Sequence, residues 1–280
     1  MTGSEILCFV RLFGIIVGDL VDEENQFWQL YLLLRQIMDI VLAKRLYKGA
    51  ACQLKVLIEE HHKLFVSLTG KSLTPKMHFF THYPRVIAES GPTSHLSTIR
   101  KEAKHRDLTQ SAGTNMSRVN IAHSLTVKHQ MGMCHRFMSK EDIIPDTQIG
   151  PGHIIHLNET FPFFEKLAIH LRGTECINSN WVEYKGTTYK VGMVVATGAQ
   201  ELCPSFGKIK LILNFNYDAC PILVCNVLFN IGLYEHVLGY EVEETDDWLC
   251  IKISELLDYN PLYAHTMATG EKIVVLHYSI

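Results

Sequence analysis

The sequence predicts an α+β protein, with an N-terminal all-helical domain followed by a small antiparallel β-barrel-like domain. Three observations carry this reading. Apolar residues recur at three- and four-residue steps through the first half of the chain, the signature of helices with one buried face. Beyond residue 155 they give way to short runs rich in Val, Ile and Tyr, punctuated by Gly and Asn, which is the grammar of strands and tight turns. Between these regimes, polar and breaker residues concentrate in 138–154, with Pro145 and Gly150-Pro151-Gly152. The predicted organisation is therefore a helical domain over 1–137, a linker over 138–154 and a β domain over 155–280.

In chain order, Asp22, Glu23 and Glu24 open a long helix, since acids favour the positive end of the helix dipole. Phe27, Tyr31, Leu34, Met38 and Val41 form its stripe, and Leu30, Leu33 and Ile37 widen it. Lys44 and Arg45 close it at the end that favours cations. So broad an apolar face suits a helix packed on several sides. A second helix spans about Ala51 to Leu68, with Gly70 as its C-cap. Thr74-Pro75 fits an N-cap and first helical residue, and Pro84 should bend or break the helix that follows. Gly91-Pro92 is a break, after which helices are expected near Ser94–Ser111 and Met116–Phe137.

In the second half, Trp181–Tyr184, the turn Lys185-Gly186-Thr187 and Tyr189–Ala196 read as a hairpin. Further strands are expected at Gly207–Asn214, Pro221–Phe229, Tyr240–Glu243, Trp248–Ile253 and Lys272–Tyr278, enough for a barrel of five or six strands.

Composition excludes several classes. With 47% hydrophobic and 20% charged residues the chain has the make-up of a globular protein, and disorder is excluded. Eight cysteines without any CxxC pair suit free, mostly buried thiols in a reducing compartment. Leu7–Val17 is apolar, but Arg11 interrupts it and no basic region precedes it, so a secretory signal is not expected. Phe27–Leu42 carries Gln29, Arg35, Gln36 and Asp39, too many polar groups for a membrane span. An intracellular, possible nuclear, location without membrane partners follows as an expectation.

The net charge of −3 is polarised. Residues 100–140 carry Arg100, Lys101, Lys104, Arg106, Arg118, Lys128, Arg136 and Lys140 against Glu102 and Asp107 only, a local +6 that leaves −9 elsewhere. Such a stretch serves either as a phosphate-binding surface or as a solvated helix face.

A set of short motifs occurs in order along the helical half: Leu73–Pro84 (LTPKMHFFTHYP), Gly91-Pro92, His95-Leu96, Ile99–His105 (IRKEAKH), Asn120-Ile121-Ala122 and Leu125–Gln130 (LTVKHQ). Together with 1–65, including Glu59-Glu60-His61-His62, they resemble the C-terminal helical region of CACTA-type, transposon-derived DNA transposases over about the first 135 residues. The β half resembles the small barrels that follow that region. The resemblance implies DNA as a partner, with Arg100, Lys101, Lys104, His105, Arg106 and Lys128 as nucleic-acid contacts. It also implies Glu102 as the third carboxylate of a site in which three acids hold two Mg or Mn ions for in-line displacement at phosphorus. The family pattern has a Trp near position 97 and a Phe before the Glu, where this chain has Ser97 and Lys101. The chain also begins inside the pattern, which leaves open whether Met1 is the true start.

The two companion acids should end buried strands, and before residue 150 no strand ending in Asp is found. Asp19, Asp22 and Asp39 fall on helices or a helix start. One carboxylate cannot hold two divalent ions, so the chain alone is expected to need no cofactor and to leave DNA uncut. A metal at Glu102 would require acids supplied from elsewhere.

Other constellations read more plainly. His78 and His82 have the i, i+4 spacing of a zinc pair but lack a nearby Glu or Cys, and a structural role is expected. His61 and His62 are adjacent and point different ways, Cys220 and Cys225 are weaker metal candidates still, and Cys134-His135 stands at a helix end without a base partner of obvious spacing. Trp181, Tyr184, Tyr189, Phe206, Tyr234, Tyr240 and Trp248 either line a peptide- or base-stacking groove or build the core. Two functional readings result: a transposase-derived fragment with nucleic-acid affinity and no chemistry of its own, and a protein-interaction module acting through its β domain.

Overall fold

A computed structural model describes residues 3–98, 105, 108–114, 119–139, 147–200, 203–215 and 218–278. The fold is α+β, and the chain divides into two compact units: Met1–Thr93 with Thr147–Ile280, and Ser94–Asp146. The helical region expected over 1–137 is thus shared between units, and the helices before Thr93 fold with the sheet.

In the first unit the helices are α1 (Gly3–Val17), α2 (Gln26–Leu42), α3 (Ala50–Thr69), α4 (Pro75–Phe80) and α5 (Tyr83–Ser90). Helix α2 starts after the acids at 22–24, because Asn25 supplies the cap. Its side-chain oxygen accepts from the amides of Phe27 at 2.9 Å and Trp28 at 3.2 Å, a cap of about 1 kcal/mol. Gly70 closes α3 at φ +65°, the left-handed conformation that a C-cap needs. Thr74 caps α4, and the chain bends between Phe80 and Tyr83, so Pro84 stands in the first turn of α5. Ile37 and Ile40 of α2 pack with Leu54, Leu57 and Ile58 of α3 and Ile87 of α5 into one core.

The strands are β1 (Gln148–Ile149), β2 (Gly152–His156), β3 (Glu175–Ser179), β4 (Trp181–Tyr184), β5 (Thr187–Lys190), β6 (Val194–Gln200), β7 (Cys203–Phe215), β8 (Asp218–Tyr234), β9 (Gly239–Lys252), β10 (Asp258–Leu262), β11 (Ala264–Thr266) and β12 (Lys272–Val274). The first lies inside the stretch expected to be a linker, and the second begins inside it and runs two residues beyond. Strands β1, β4 and β5 form a small sheet. Lys185 at φ +50° and Gly186 at φ +79° make the β4–β5 connection the two-residue turn whose twist suits a hairpin. The run expected as one strand from Tyr189 to Ala196 is broken at Gly192, φ +91°, which sends β6 into the larger sheet.

That larger sheet is antiparallel in the order β10-β6-β7-β8-β9-β12-β11, with β3 paired to β7 and β2 to β3. Among the described residues its path ends on β10 and β11, with β2 a third terminal strand beside β3, and no closed barrel is found, which corrects the barrel-like expectation. The two end strands β10 and β11 follow one another with only Tyr263 between them, and they pair with β6 and β12 respectively and not with each other. Ile15 of α1 packs with Val237, Met267, Ile273 and Val275. The Trp28 indole donates to the His236 carbonyl at 2.9 Å, and Arg35 Nη2 donates to the Leu276 carbonyl at 3.0 Å. Lys44 Nζ stands 3.5 Å above the centre of the Tyr259 ring on edge strand β10.

In the second unit, α6 (Ile121–Ser139) begins later than the expected Met116, after Asn120 at φ +54°. Residues 108–113 are also helical.

Candidate nucleic-acid interface

Helix α6 contains no Asp or Glu across IAHSLTVKHQMGMCHRFMS and buries none of its side chains. Ile121, Leu125 and Met133, at four-residue multiples, form its least exposed line. Lys128, Gly132 and Arg136 recur at i, i+4 and i+8 and therefore share another face. Both cations are exposed, and both line a shallow concavity of about 190 Å³ with Leu108, Ser111 and His129. A Cβ at Gly132 would meet nothing within 4 Å, so this glycine keeps the space between the cations open without being demanded by packing. Eight helical residues separate Lys128 from Arg136 by about 12 Å along the axis. The major groove of B-DNA is about 12 Å wide, so two such cations have the reach to meet phosphates on both of its walls.

Of the contacts expected from the sequence, Lys128 lies in this concavity. His105 is exposed on a helical residue, and its carbonyl accepts the Thr109 hydroxyl at 2.8 Å; it is absent from the lining. Arg100, Lys101, Glu102, Lys104 and Arg106 lie outside the described residues. Sequence reasoning counted Arg136 in the basic stretch but did not single it out, and it passed over His129 and Ser111. The i, i+4, i+8 spacing of Lys128, Gly132 and Arg136 was the available signal. Ser111 comes from another helical segment and had none.

The histidines divide by burial. His78 and His82 are exposed, their rings 5.0 Å apart and nearly perpendicular. Among the described residues no group of three or more His, Cys, Asp or Glu side chains is placed to hold a metal ion. His61 and His62, by contrast, are both buried on α3, with rings 5.6 Å apart. Burial, aided by the neighbouring His62, pulls His61 down to about 4, and burial with His78 nearby lowers His62. Both are neutral at pH 7 and act as core side chains.

The cysteines are all free, but not mostly buried as expected: Cys8, Cys52, Cys134 and Cys203 are exposed. Burial pushes Cys225 and Cys250 up to about 12 and Cys176 to about 11, so these thiols stay protonated and poorly nucleophilic. Cys220 Sγ lies 3.3 Å from Ser254 Oγ, with no base in that pair.

The seven aromatic candidates do not assemble into one groove. Tyr189 and Phe206 are buried in separate cores. Tyr184 packs on the first of these and Tyr240 on the second, while Trp248 lies tilted against Phe163, ring centres 5.8 Å apart, in a third. Trp181 lies over Gly150, where a Cβ would come within 2.4 Å of the indole nitrogen. Tyr234 alone of the seven is exposed, beside the β8–β9 turn.

On the sheet, hydrogen bonds from Lys208 and Lys272, each 2.8 Å from Glu244, hold its carboxyl at about 2. These lysines are already engaged and are weaker phosphate candidates than those of α6. No helix among the described residues is long and apolar enough to cross a membrane. In comparisons with known proteins, no family model matches the chain and no curated protein matches it.

Proposed function

We propose that this chain is a transposase-derived protein that binds the nucleic-acid backbone through its Ser94–Asp146 unit and performs no chemistry alone. The observation that carries the proposal is the acid-free helix α6, whose Lys128 and Arg136 share one exposed face across an open concavity. The motif order along the first 135 residues supports the same reading. Backbone binding of this kind tolerates any base sequence and weakens steeply with salt, since each neutralised phosphate releases condensed counterions. The place for such a protein is the nucleus.

The test is fluorescence anisotropy of the full chain with a 30-base-pair duplex and with an oligo-dT strand at 50 and 200 mM salt. Binding at low salt, weakened by Lys128→Ala with Arg136→Ala, is expected. The slope of log K against log salt should shrink by about 0.9 per lost duplex phosphate contact. Absence of binding to either nucleic acid at 50 mM salt sinks the proposal.

A second reading, a protein-interaction module, is favoured by one feature of the sheet. Phe229, Ile231 and Leu233 alternate along β8 with 59, 47 and 48% exposure, and Phe229 is in register with Glu243 on β9. Apolar side chains beside Glu241 and Glu243 suit a basic, extended segment. Calorimetric titration with an alternating Val-Lys peptide tests this; heat of binding that survives Phe229→Ser with Ile231→Ser counts against it.

A further inference from the structure

Helix α1 is apolar on both sides. Its inner side is packed closely: a Cβ at Gly14 would lie 2.8 Å from the Val237 carbonyl oxygen, and one at Gly18 would lie 2.6 Å from a Val237 methyl. Gly14 and Gly18 are buried there, and Arg11 reaches the His277 ring at 3.2 Å. Its outer side carries Ile6, Phe9 and Ile16, and Leu20 extends the series into the following turn, while Phe13 turns onto α2, its ring 5.9 Å from Trp28 and 5.2 Å from Tyr31. Ile6 and Phe9 are three residues apart, Phe9 and Ile16 seven, and Ile16 and Leu20 four, the spacing by which one helix meets another in a paired seam. Ile6, Phe9, Ile16 and Leu20 are 48, 47, 62 and 84% exposed, and Phe13 is half-buried. The nearby acids, Glu5 and Asp19, stand at the ends of the stripe, and Asp19 accepts the Ala268 amide at 3.0 Å.

We infer that this stripe is a self-association surface, and that its occupant is the same stripe of a second copy of the chain. The four exposed side chains present roughly 500 Å² of apolar surface, within the range where the largest patch of a soluble protein is usually functional. Two such faces together would bury about 1,000 Å², the lower bound for a specific interface. The middle of the stripe has no charge for an acidic or basic partner to read. A two-fold pair satisfies it with its own spacing, because an isologous contact uses one patch twice. The inference is independent of nucleic-acid binding, which was assigned to residues of the other unit.

Sedimentation equilibrium of the full chain between 2 and 100 μM tests it. The wild type should reach about twice its 31.9 kDa. Phe9→Glu with Ile16→Glu should sediment as a monomer, with unchanged circular dichroism. Mixing that variant with Phe9→Lys, Ile16→Lys should restore the paired mass through opposite charges across the seam. A wild type that stays monomeric throughout, an acidic variant that still pairs, or a mixture that fails to pair overturns the inference. So does a monomeric wild type that instead binds phosphatidylcholine vesicles, which would give the face to a lipid surface.

Discussion

Replacing Arg35 with Met should cost about 3 kcal/mol of stability and should loosen the helices and the sheet together. Arg35 is 1% exposed in the middle of α2. It forms an ion pair with Asp39 one turn later, and its Nη2 donates to the Leu276 carbonyl at 3.0 Å, a bond from the helical layer to the segment after β12. Burial pulls the guanidinium down to about 10, with Tyr31 opposing the shift and Arg11 adding to it, but the group remains charged at pH 7. Breaking a buried ion pair by removing one partner costs about 3–5 kcal/mol. The Asp39 side chain retains 20% exposure and regains part of its hydration, which puts its share at the lower end. The orphaned Leu276 carbonyl adds about 1–3 kcal/mol, and Met recovers some of the packing of the arginine stem. Against a typical domain stability of about 5–15 kcal/mol, the loss is large. Urea unfolding followed by both Trp fluorescence and far-UV circular dichroism measures it, and both signals should shift to one lower midpoint. Adding Asp39→Leu to Arg35→Met should return more than about 1 kcal/mol, because a paired loss is less costly than a stranded charge. A single-variant loss under about 1 kcal/mol, or a double variant less stable than Arg35→Met, refutes the assignment of Arg35 as a buried charged bridge.

Stability should also fall on acidification. His61 titrates near 4 in the fold, below its ordinary 6.5, so its contribution is complete above pH 6.5 and is lost as pH falls towards 4, by at most about 3 kcal/mol. His62, His265 and His277 are lowered in the same direction, chiefly by burial, and reinforce the trend; a urea midpoint unchanged between pH 7.5 and 4.5 would contradict it. Cys176, Cys225 and Cys250 should remain silent to an aromatic disulfide reagent at pH 8 until denaturant is added, while Cys52 and Cys203 react at once. Rapid labelling of Cys225 in native buffer would show that the core around β7 and β8 is open.

Local rules made much of the helical half legible. The periodic stripe of α2, the glycine after α3, the Thr74-Pro75 start and the break around Pro84 are each set by neighbours within a turn or two. The misplacement of the α2 start has the same local character: Asn25 caps with two hydrogen bonds, which outweighs the dipole preference of the three acids before it. Strands were found where apolar alternation was strong, as in β4, β7 and β8. Strands β2, β3, β10 and β11 were missed because their exposed or short segments owe their extended form to a partner rather than to their own pattern. For the candidate interface, the basic stretch and Lys128 were legible from charge alone. Ser111 was not, since a concavity needs two segments to meet.

By itself, the sequence determined the α+β class, the free thiols, the hairpin turn at Lys185-Gly186 and the charge polarity that singles out 100–140. Those depend on residue chemistry and on contacts between near neighbours. Tertiary structure alone decided that the first helices fold with the sheet, that Arg35 reaches Leu276 across the chain, and that β10 and β11 pair with β6 and β12 and not with each other. Apolar periodicity says that a face is buried but not against what, and both sides of α1 carry it. Which side met the Val237 turn was settled by shape: Gly14 and Gly18 allow a close approach that the Phe9 and Ile16 side cannot make.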